Sequence, residues 1–391
     1  MHEGMKEKIA GVFERAFGDA DGVRVFFAPG RINLIGEHTD YNGGYVLPCA
    51  LEMGTYCAIR PRAGRRIRMY SGNFQDTGAI EWSLDGLERR EEAGWSNYPA
   101  GVVWALSRRG LAPGTGFDIA FLGNIPNSAG LSSSASIEVL TGYALNEVNG
   151  WGVPMEELAL IGQDAENNFV GMNCGIMDQF SISLGREGHA IFLDTASLSY
   201  EYVPLALGGC CILIMNTRKL RSLTDSKYNE RRAECGRALS CLRRGADIQN
   251  LCDLDEVRFE ECKHLIEGDA ELRRARHAVY ENGRAIKAKA LLAEGRFKEF
   301  GLLLDQSHLS LKNDYEVTGA ELDTLVGAAQ EQEGVLGARM TGAGFGGCAI
   351  CVVEKAKARE AMSRVGEAYS GKIGHMPEFY VTDAGGGPAE L

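Results

Sequence analysis

The chain has no excess of positive charge, no long apolar run and no cysteine framework, and each absence removes a class of protein. Lysine and arginine number 41 against 53 aspartates and glutamates, a formal net charge of −12 over 391 residues. That balance argues against nucleic acid or an anionic membrane as a partner. The basic stretch Arg60-Pro-Arg-Ala-Gly-Arg-Arg-Ile-Arg68 reads as the solvated edge of a hairpin, since charge protects exposed strand edges. Apolar runs such as Cys210–Met215 fall far short of the roughly 20 residues that a membrane helix needs. The opening Met-His-Glu-Gly-Met-Lys-Glu-Lys holds no apolar segment, so no secretion leader is expected. Eleven cysteines at irregular spacing fit reduced thiols in the cytoplasm. Cys348 and Cys351 form a C-x-x-C inside an apolar run, where a strand would turn them to opposite faces, so neither a redox nor a zinc role is expected.

What is present is enough apolar sequence, 45% of residues, to bury the core of two domains. Periodicity predicts helices over Glu3–Phe17, Tyr98–Arg108, Ser134–Val148, Met155–Phe169 and Ala356–Tyr369. Strands are expected at Val23–Phe27, Tyr45–Ala50, Tyr56–Arg60, Ile67–Tyr70, Phe117–Leu122, Ala190–Asp194, Cys211–Met215, Val335–Met340, Cys348–Val353 and Phe379–Thr382. From Ser222 to about Gln330 the pattern is charged and helical. This is an α+β arrangement, sheet-rich first and helix-rich second, with no internal repeat and no low-complexity linker.

Three glycine-rich segments stand out. Asn127-Ser-Ala-Gly-Leu-Ser-Ser-Ser-Ala-Ser136 feeds straight into a helix, so its backbone N–H groups and the helix dipole favour an anion. Ser132, Ser133 and Ser134 add hydroxyl donors and a possible metal ligand. No Lys-Ser/Thr follows a glycine at Walker A spacing, which excludes an ordinary P-loop. Phosphate, and ATP above all, is the ligand to expect. The second segment, Ala28 to Gly44, offers Arg31, Glu37, His38 and Asp40 between a strand and a turn, a set suited to vicinal hydroxyls. Arg31 and Asn33 sit among apolar residues and need partners if buried. The third, Met340-Thr-Gly-Ala-Gly-Phe-Gly-Gly-Cys348, permits close approach of backbone to a ligand or to another loop. Asp178 falls about three residues into a short helix starting near Gly175, and Glu166 on the preceding helix could reach a shared site. A carboxylate and a serine hydroxyl are hard oxygen ligands of the kind Mg²⁺ takes.

Together these segments resemble the galactokinase family, within the GHMP superfamily of small-molecule kinases. The resemblance rests on Gly30-Arg-Ile-Asn-Leu-Ile-Gly-Glu-His-Thr-Asp-Tyr-Asn-Gly-Gly44, Pro126–Ser136 and Gly342–Gly347. Asn173-Cys-Gly-Ile-Met-Asp-Gln179 and Asp225-Ser-Lys-Tyr-Asn-Glu-Arg-Arg232 also carry it. The likeness spans about residues 5–385, and the first signature is the specific one. Ser128, Ala100 and Arg218 depart from the family pattern, away from the chemical residues.

The resemblance implies a two-domain GHMP kinase fold. A mixed-sheet N-terminal domain over 1–205 (like domain 2 of ribosomal protein S5) would face a helix-rich α/β sandwich over 206–391, with the active site between them. It implies phosphoryl transfer from ATP, with Mg²⁺, to O1 of D-galactose in a cytoplasmic monomer. Asp178 would be the catalytic base and Arg31 would stabilise developing charge. Glu37, His38, Thr39, Asp40, Gly175 and Tyr228 would bind the sugar. Ser71, Ser128, Ala129, Gly130, Leu131, Ser132, Ser133 and Ser134 would bind ATP, and Ser134 with Glu166 would hold the metal. The competing readings are a kinase for N-acetylgalactosamine or arabinose, and a non-catalytic sensor of galactose and ATP.

Overall fold

The computed structural model describes residues 2–126, 129–219 and 224–391, with 224–226 as helix backbone only. Everything said of structure concerns these residues. Helix α1, His2–Phe17, turns Ile9, Val12 and Phe13 inward. Strands β1 (Arg24–Asn33), β2 (Tyr45–Val46), β3 (Pro48–Arg62), β4 (Arg66–Ser71) and β5 (Ile80–Ser83) follow, then α2 (Asn97–Arg108) and β6 (Gly116–Gly123). The middle of the chain holds α3 (Ser133–Asn149), α4 (Met155–Asp164), α5 (Met177–Ser183), β7 (His189–Asp194), β8 (Tyr200–Pro204) and β9 (Cys210–Asn216). Helices α6 (Thr224–Leu242), α7 (Glu256–Cys262), α8 (Asp269–Ala293), α9 (Phe297–Ser310) and α10 (Gly319–Gln330) come next. The chain closes with β10 (Val335–Thr341), β11 (Cys348–Glu354), α11 (Ala358–Ile373), β12 (Glu378–Thr382) and β13 (Ala389–Glu390).

Strand β1 runs six residues beyond its expected end at Phe27, because a bulge between Pro29 and Arg31 absorbs the Pro-Gly pair without ending the pairing to β3. The first sheet has the order β13-β1-β3-β6-β4-β5. It is mixed, since β4 and β6 run parallel while its other neighbours are antiparallel. The basic stretch at 60–68 is therefore not a hairpin edge. Strand β6 lies between β3 and β4, and its buried Asp118 draws Arg62 to 3.5 Å and Arg68 to 2.6 Å. A buried carboxylate needs such partners.

The second sheet, β10-β11-β9-β12, is antiparallel and apolar on both faces. Leu213, Met215, Ala349 and Cys351 pack toward α6, α8, α10 and α11. Ile212, Ile214, Cys348 and Ile350 face the other way, into a core shared with Ile32 and Leu34. Cys348 and Cys351 thus point apart, both buried and neither in a disulfide. A third sheet, β2-β7-β8, is antiparallel. The expected break at 205/206 is crossed twice. That shared core joins the two sides, and β13 at the C-terminal end pairs with β1 of the first sheet.

Two helices end in π-type turns. The expected helix Met155–Phe169 is α4 followed by a π turn over Ala165–Val170, and α9 runs into a second one over Leu311–Tyr315. Such turns gather at functional positions. Helix α9 lies directly against β10, where a Cβ at Gly301 would collide with the Leu336 carbonyl oxygen and one at Gly337 with that of Gly301. Substitution Gly301→Val should therefore lower unfolding stability by at least about 2 kcal/mol. Urea denaturation checks this, and an unchanged midpoint would show that α9 is free to move off the sheet.

Candidate active site

The bulge in β1 aims Arg31 into a cleft between the two main sheets, where it is only 4% exposed. Its Nε and Nη2 donate to Oδ1 and Oδ2 of Asp178, both at 2.8 Å, and its Nη1 donates to the Gly130 carbonyl at 2.8 Å. Burial opposes the charge, but Asp178, Glu37 and Asp40 outweigh it and push the guanidinium pKa up. Two-pronged pairing of this kind fixes direction as well as energy. Asp178 lies in the first turn of α5 and also accepts the Ser132 hydroxyl. Gly30 lets the serine loop come this close, because a Cβ there would stand 2.7 Å from the Leu131 carbonyl oxygen.

After β1 the chain turns through residues 34–44. Buried Asn33 does find partners, donating to Glu37 Oε2 at 2.8 Å and accepting from Leu47 N. Glu37 Oε1 accepts the Gly342 N–H at 2.6 Å, with Arg339 Nη2 at 3.4 Å. His38 has φ of 61°, and burial, followed by the charges of His277 and Arg339, lowers its pKa to about 3, so the imidazole is neutral. Asp40 faces Gly175 so closely that a Cβ at 175 would collide with its carboxylate. Burial, with the like charges of Asp178 and Glu37, pushes Asp40 up to about 7. Tyr228 closes the cleft beside His38, ring centroids 5.8 Å apart.

Not every expected residue reaches the cleft. Thr39 spends its hydroxyl on the Gly36 and Tyr45 carbonyls at 2.7 and 2.8 Å, so it shapes the turn instead of lining the site. Ala129 and Leu131 bury their side chains in the shared core and can offer only backbone. Ser71 ends β4, paired with Phe121, and its hydroxyl accepts the Asn73 N–H. Ser128 lies outside the described residues. Gly130, Ser132, Ser133 and Ser134 do line the cleft.

Glu166 sits on the π turn after α4, within reach of the Ser134 hydroxyl. Burial, then the Asp178 charge, raises it to about 7. Gln179 Nε2 bridges it at 2.6 Å to Glu138 at 2.9 Å, and burial pushes Glu138 far above the usual carboxylate range. A hydroxyl and a carboxylate are hard oxygen donors of the kind that suit Mg²⁺, and such an ion would take its remaining ligands from phosphate and water. Among the described residues no cluster of three or more metal-ligating side chains exists, so the phosphates would have to share in holding the ion.

The supports of the site come from far along the chain and, Arg232 apart, carried no motif. Glu281 of α8 is fully buried and accepts from Gly36 N and Glu37 N at 3.0 and 3.3 Å, and from Ser307 at 2.6 Å. Burial opposes its charge, yet Arg284, His277 and Arg339 hold its pKa down at about 2. His277 Nε2 donates to the Glu37 carbonyl at 3.0 Å, and Arg339 Nη1 to the Asn33 and Leu34 carbonyls. Arg232 of α6 donates to the Asn173 carbonyl at 2.6 Å and so braces the loop that carries Gly175.

The fold and the anion-ready serine loop define a GHMP-type kinase. Models of the GHMP kinases N terminal and C terminal domains match residues 97–186 and 288–371. The galactokinase galactose-binding signature matches residues 11–61. A galactokinase of Bacillus subtilis is 51% identical over 387 residues, covering 99% of each chain. One of Enterococcus faecalis is likewise 51% identical, over 99% of this chain and 100% of its own. Lactococcus lactis galactokinase, solved with galactose, is 46% identical and superposes with a TM-score of 0.97 over 99% of this chain and 100% of its own. Methanococcus jannaschii mevalonate kinase, 19% identical over 92% of this chain and 98% of its own, shares the fold at a TM-score of 0.66. The chain belongs to the galactokinase family and is an ATP-dependent sugar kinase.

Two substitutions test this geometry. Gly175→Ala should displace the Asp40 carboxylate and raise the sugar KM at least about tenfold with the fold intact. Asp40 has a higher pKa folded than its ordinary 3.8, so it favours the native state only while it carries its proton. That contribution is complete below the ordinary value and is lost as pH rises through about 7. Asp40→Asn should then stabilise the free protein by about 1–3 kcal/mol at pH ~8, with a smaller gain at pH ~5, by urea unfolding. A gain independent of pH would contradict the assignment.

Proposed function

We propose that the chain transfers the γ-phosphoryl group of ATP to O1 of D-galactose, giving galactose 1-phosphate and ADP. The observation that carries this reading is the Arg31–Asp178 pair, set where the 37–40 turn meets the serine loop. The sugar lies over the turn, its hydroxyls toward Glu37, His38, Asp40 and Tyr228. The triphosphate lies along residues 130–134, where the N-terminus of α3 favours negative charge. The anomeric hydroxyl then faces Asp178.

Transfer proceeds through a loose transition state, so positioning and charge compensation dominate. Asp178 holds the O1 hydroxyl in line and takes its proton as O1 bonds to phosphorus. The bond from phosphorus to the bridging oxygen breaks, and ADP leaves with its electrons. Arg31 cannot swing away, because it is tied to Gly130 and to both carboxylate oxygens, so its charge stays beside the oxygen that becomes negative. Ser134 and Glu166 would hold Mg²⁺, which when bound neutralises charge on the β- and γ-phosphates. The eleven cysteines, none of them in a disulfide, suit the reducing cytoplasm as the place of action.

ADP release measured with galactose, N-acetylgalactosamine, arabinose and no sugar tests the reading. Turnover should be highest with galactose, and binding without turnover would make the chain a sensor. Asp178→Asn and Arg31→Ala should each lower kcat by about 10²–10³ with unchanged circular dichroism. Near-normal turnover in Asp178→Asn would remove that residue from the chemistry.

A further inference from the structure

We propose that a buried relay of Cys235, Tyr315 and Tyr41 fixes the tautomer of His38, so that its Nε2–H donates to one oxygen of the bound sugar. The half of this that concerns the sugar rests on the reading that the 37–40 turn is the sugar site.

The relay is continuous. His38 Nδ1 lies 2.8 Å from the Tyr41 hydroxyl, which lies 2.7 Å from that of Tyr315, which lies 3.1 Å from Cys235 Sγ. Tyr315 and Cys235 are essentially inaccessible to water, and both phenols and the thiol keep their protons, because burial raises all three pKa values. Three protons must therefore be placed along one line, and they can run in either direction.

The near end selects the direction, since an imidazole nitrogen is the best acceptor in the line and a phenol its best donor, so Tyr41 donates to His38 Nδ1. Tyr41 then accepts from Tyr315, and Tyr315 from the Cys235 S–H. The far end is compatible with this order, because Asn42 Nδ2 donates to Cys235 Sγ at 3.7 Å and leaves the S–H to turn toward Tyr315. The His38 proton is left on Nε2. That atom is buried, makes no hydrogen bond of normal geometry within the protein, and belongs to a side chain lining the cleft.

The frame around the relay is rigid. The Tyr315 ring sits between the rings of His38 and His277, with centroids 4.6 and 4.5 Å away. Its carbonyl accepts Arg231 Nε at 2.8 Å at the end of the second π turn. Asn42 also donates to the His38 carbonyl at 2.7 Å, so one residue braces both ends. His38 thereby differs in kind from Glu37 and Asp40. Those two can only accept when ionised, whereas His38 supplies a donor, and a sugar oxygen that meets it must accept.

Histidine ¹⁵N NMR on the full chain tests the tautomer, with the His38 signal assigned by its loss in His38→Gln. The expected pattern is protonated Nε2 and bare Nδ1 at pH ~6 to ~8. In Tyr41→Phe the two nitrogen shifts should move toward each other as the tautomers mix. A proton on Nδ1 in the unsubstituted protein, or no change in Tyr41→Phe, would overturn the relay. Monodeoxy and monofluoro galactoses test the donor role, because fluorine can accept weakly and cannot donate. At one ring position the fluoro sugar should exceed the deoxy sugar in kcat/KM by about three- to tenfold, and the gap should close in Tyr41→Phe while the ATP KM holds. No such position would refute donation by His38. Failure to phosphorylate galactose at all would instead refute the sugar-kinase reading, with the NMR result standing by itself.

Discussion

One ion pair, buried Arg31 with half-buried Asp178, organises the cleft. A guanidinium placed on an interior strand costs several kcal/mol unless its donors are all met. Here the partners that meet them come from separate segments: both oxygens of Asp178 at the start of α5 and the Gly130 carbonyl of the serine loop. Satisfying the arginine therefore fixes where the loop and α5 lie relative to β1. The same arrangement leaves a carboxylate and a positive charge side by side at the point where, on the proposed reading, sugar and phosphate meet.

The turn after β1 depends on the other half of the molecule. Glu281 and His277 on α8 hold the backbone of residues 36 and 37, while Gly342 and Arg339 at the end of β10 hold the Glu37 carboxylate. One apolar core likewise spans both halves, and the chain end returns to β1. The acids of the cleft are costly when nothing is bound, since burial and then the charge of Asp178 bring both Asp40 and Glu166 to about 7. A site held in this state by its surroundings trades stability for readiness to bind.

Residues grouped in short segments were legible because their neighbours in sequence are also their neighbours in space. Arg31, Glu37, His38, Asp40, the serine loop and Asp178 all converge on the cleft. Thr39 has a place in the motif that suggests contact, while its hydroxyl is bonded within the turn, which sequence spacing does not reveal. Strand β1 was cut short because Pro29 and Gly30 look like breakers, and only the pairing with β3 shows a bulge. The insertion of β6 between β3 and β4 follows from long-range pairing around Asp118, which no local pattern encodes. Glu281, His277 and Tyr315 looked like ordinary positions in a charged helical stretch, because their roles exist only through partners hundreds of residues away.

The central claim is that the anomeric oxygen, and no other hydroxyl, faces the Arg31–Asp178 pair. The position of the phosphate on the product tests it most directly, by ³¹P NMR of the purified sugar phosphate together with its lability in dilute acid. The account predicts phosphorus coupled to the anomeric proton and rapid release of phosphate in acid. An acid-stable product carrying phosphate on the C6 oxygen would mean that the sugar lies the other way round, and that the pair does not do the chemistry assigned to it.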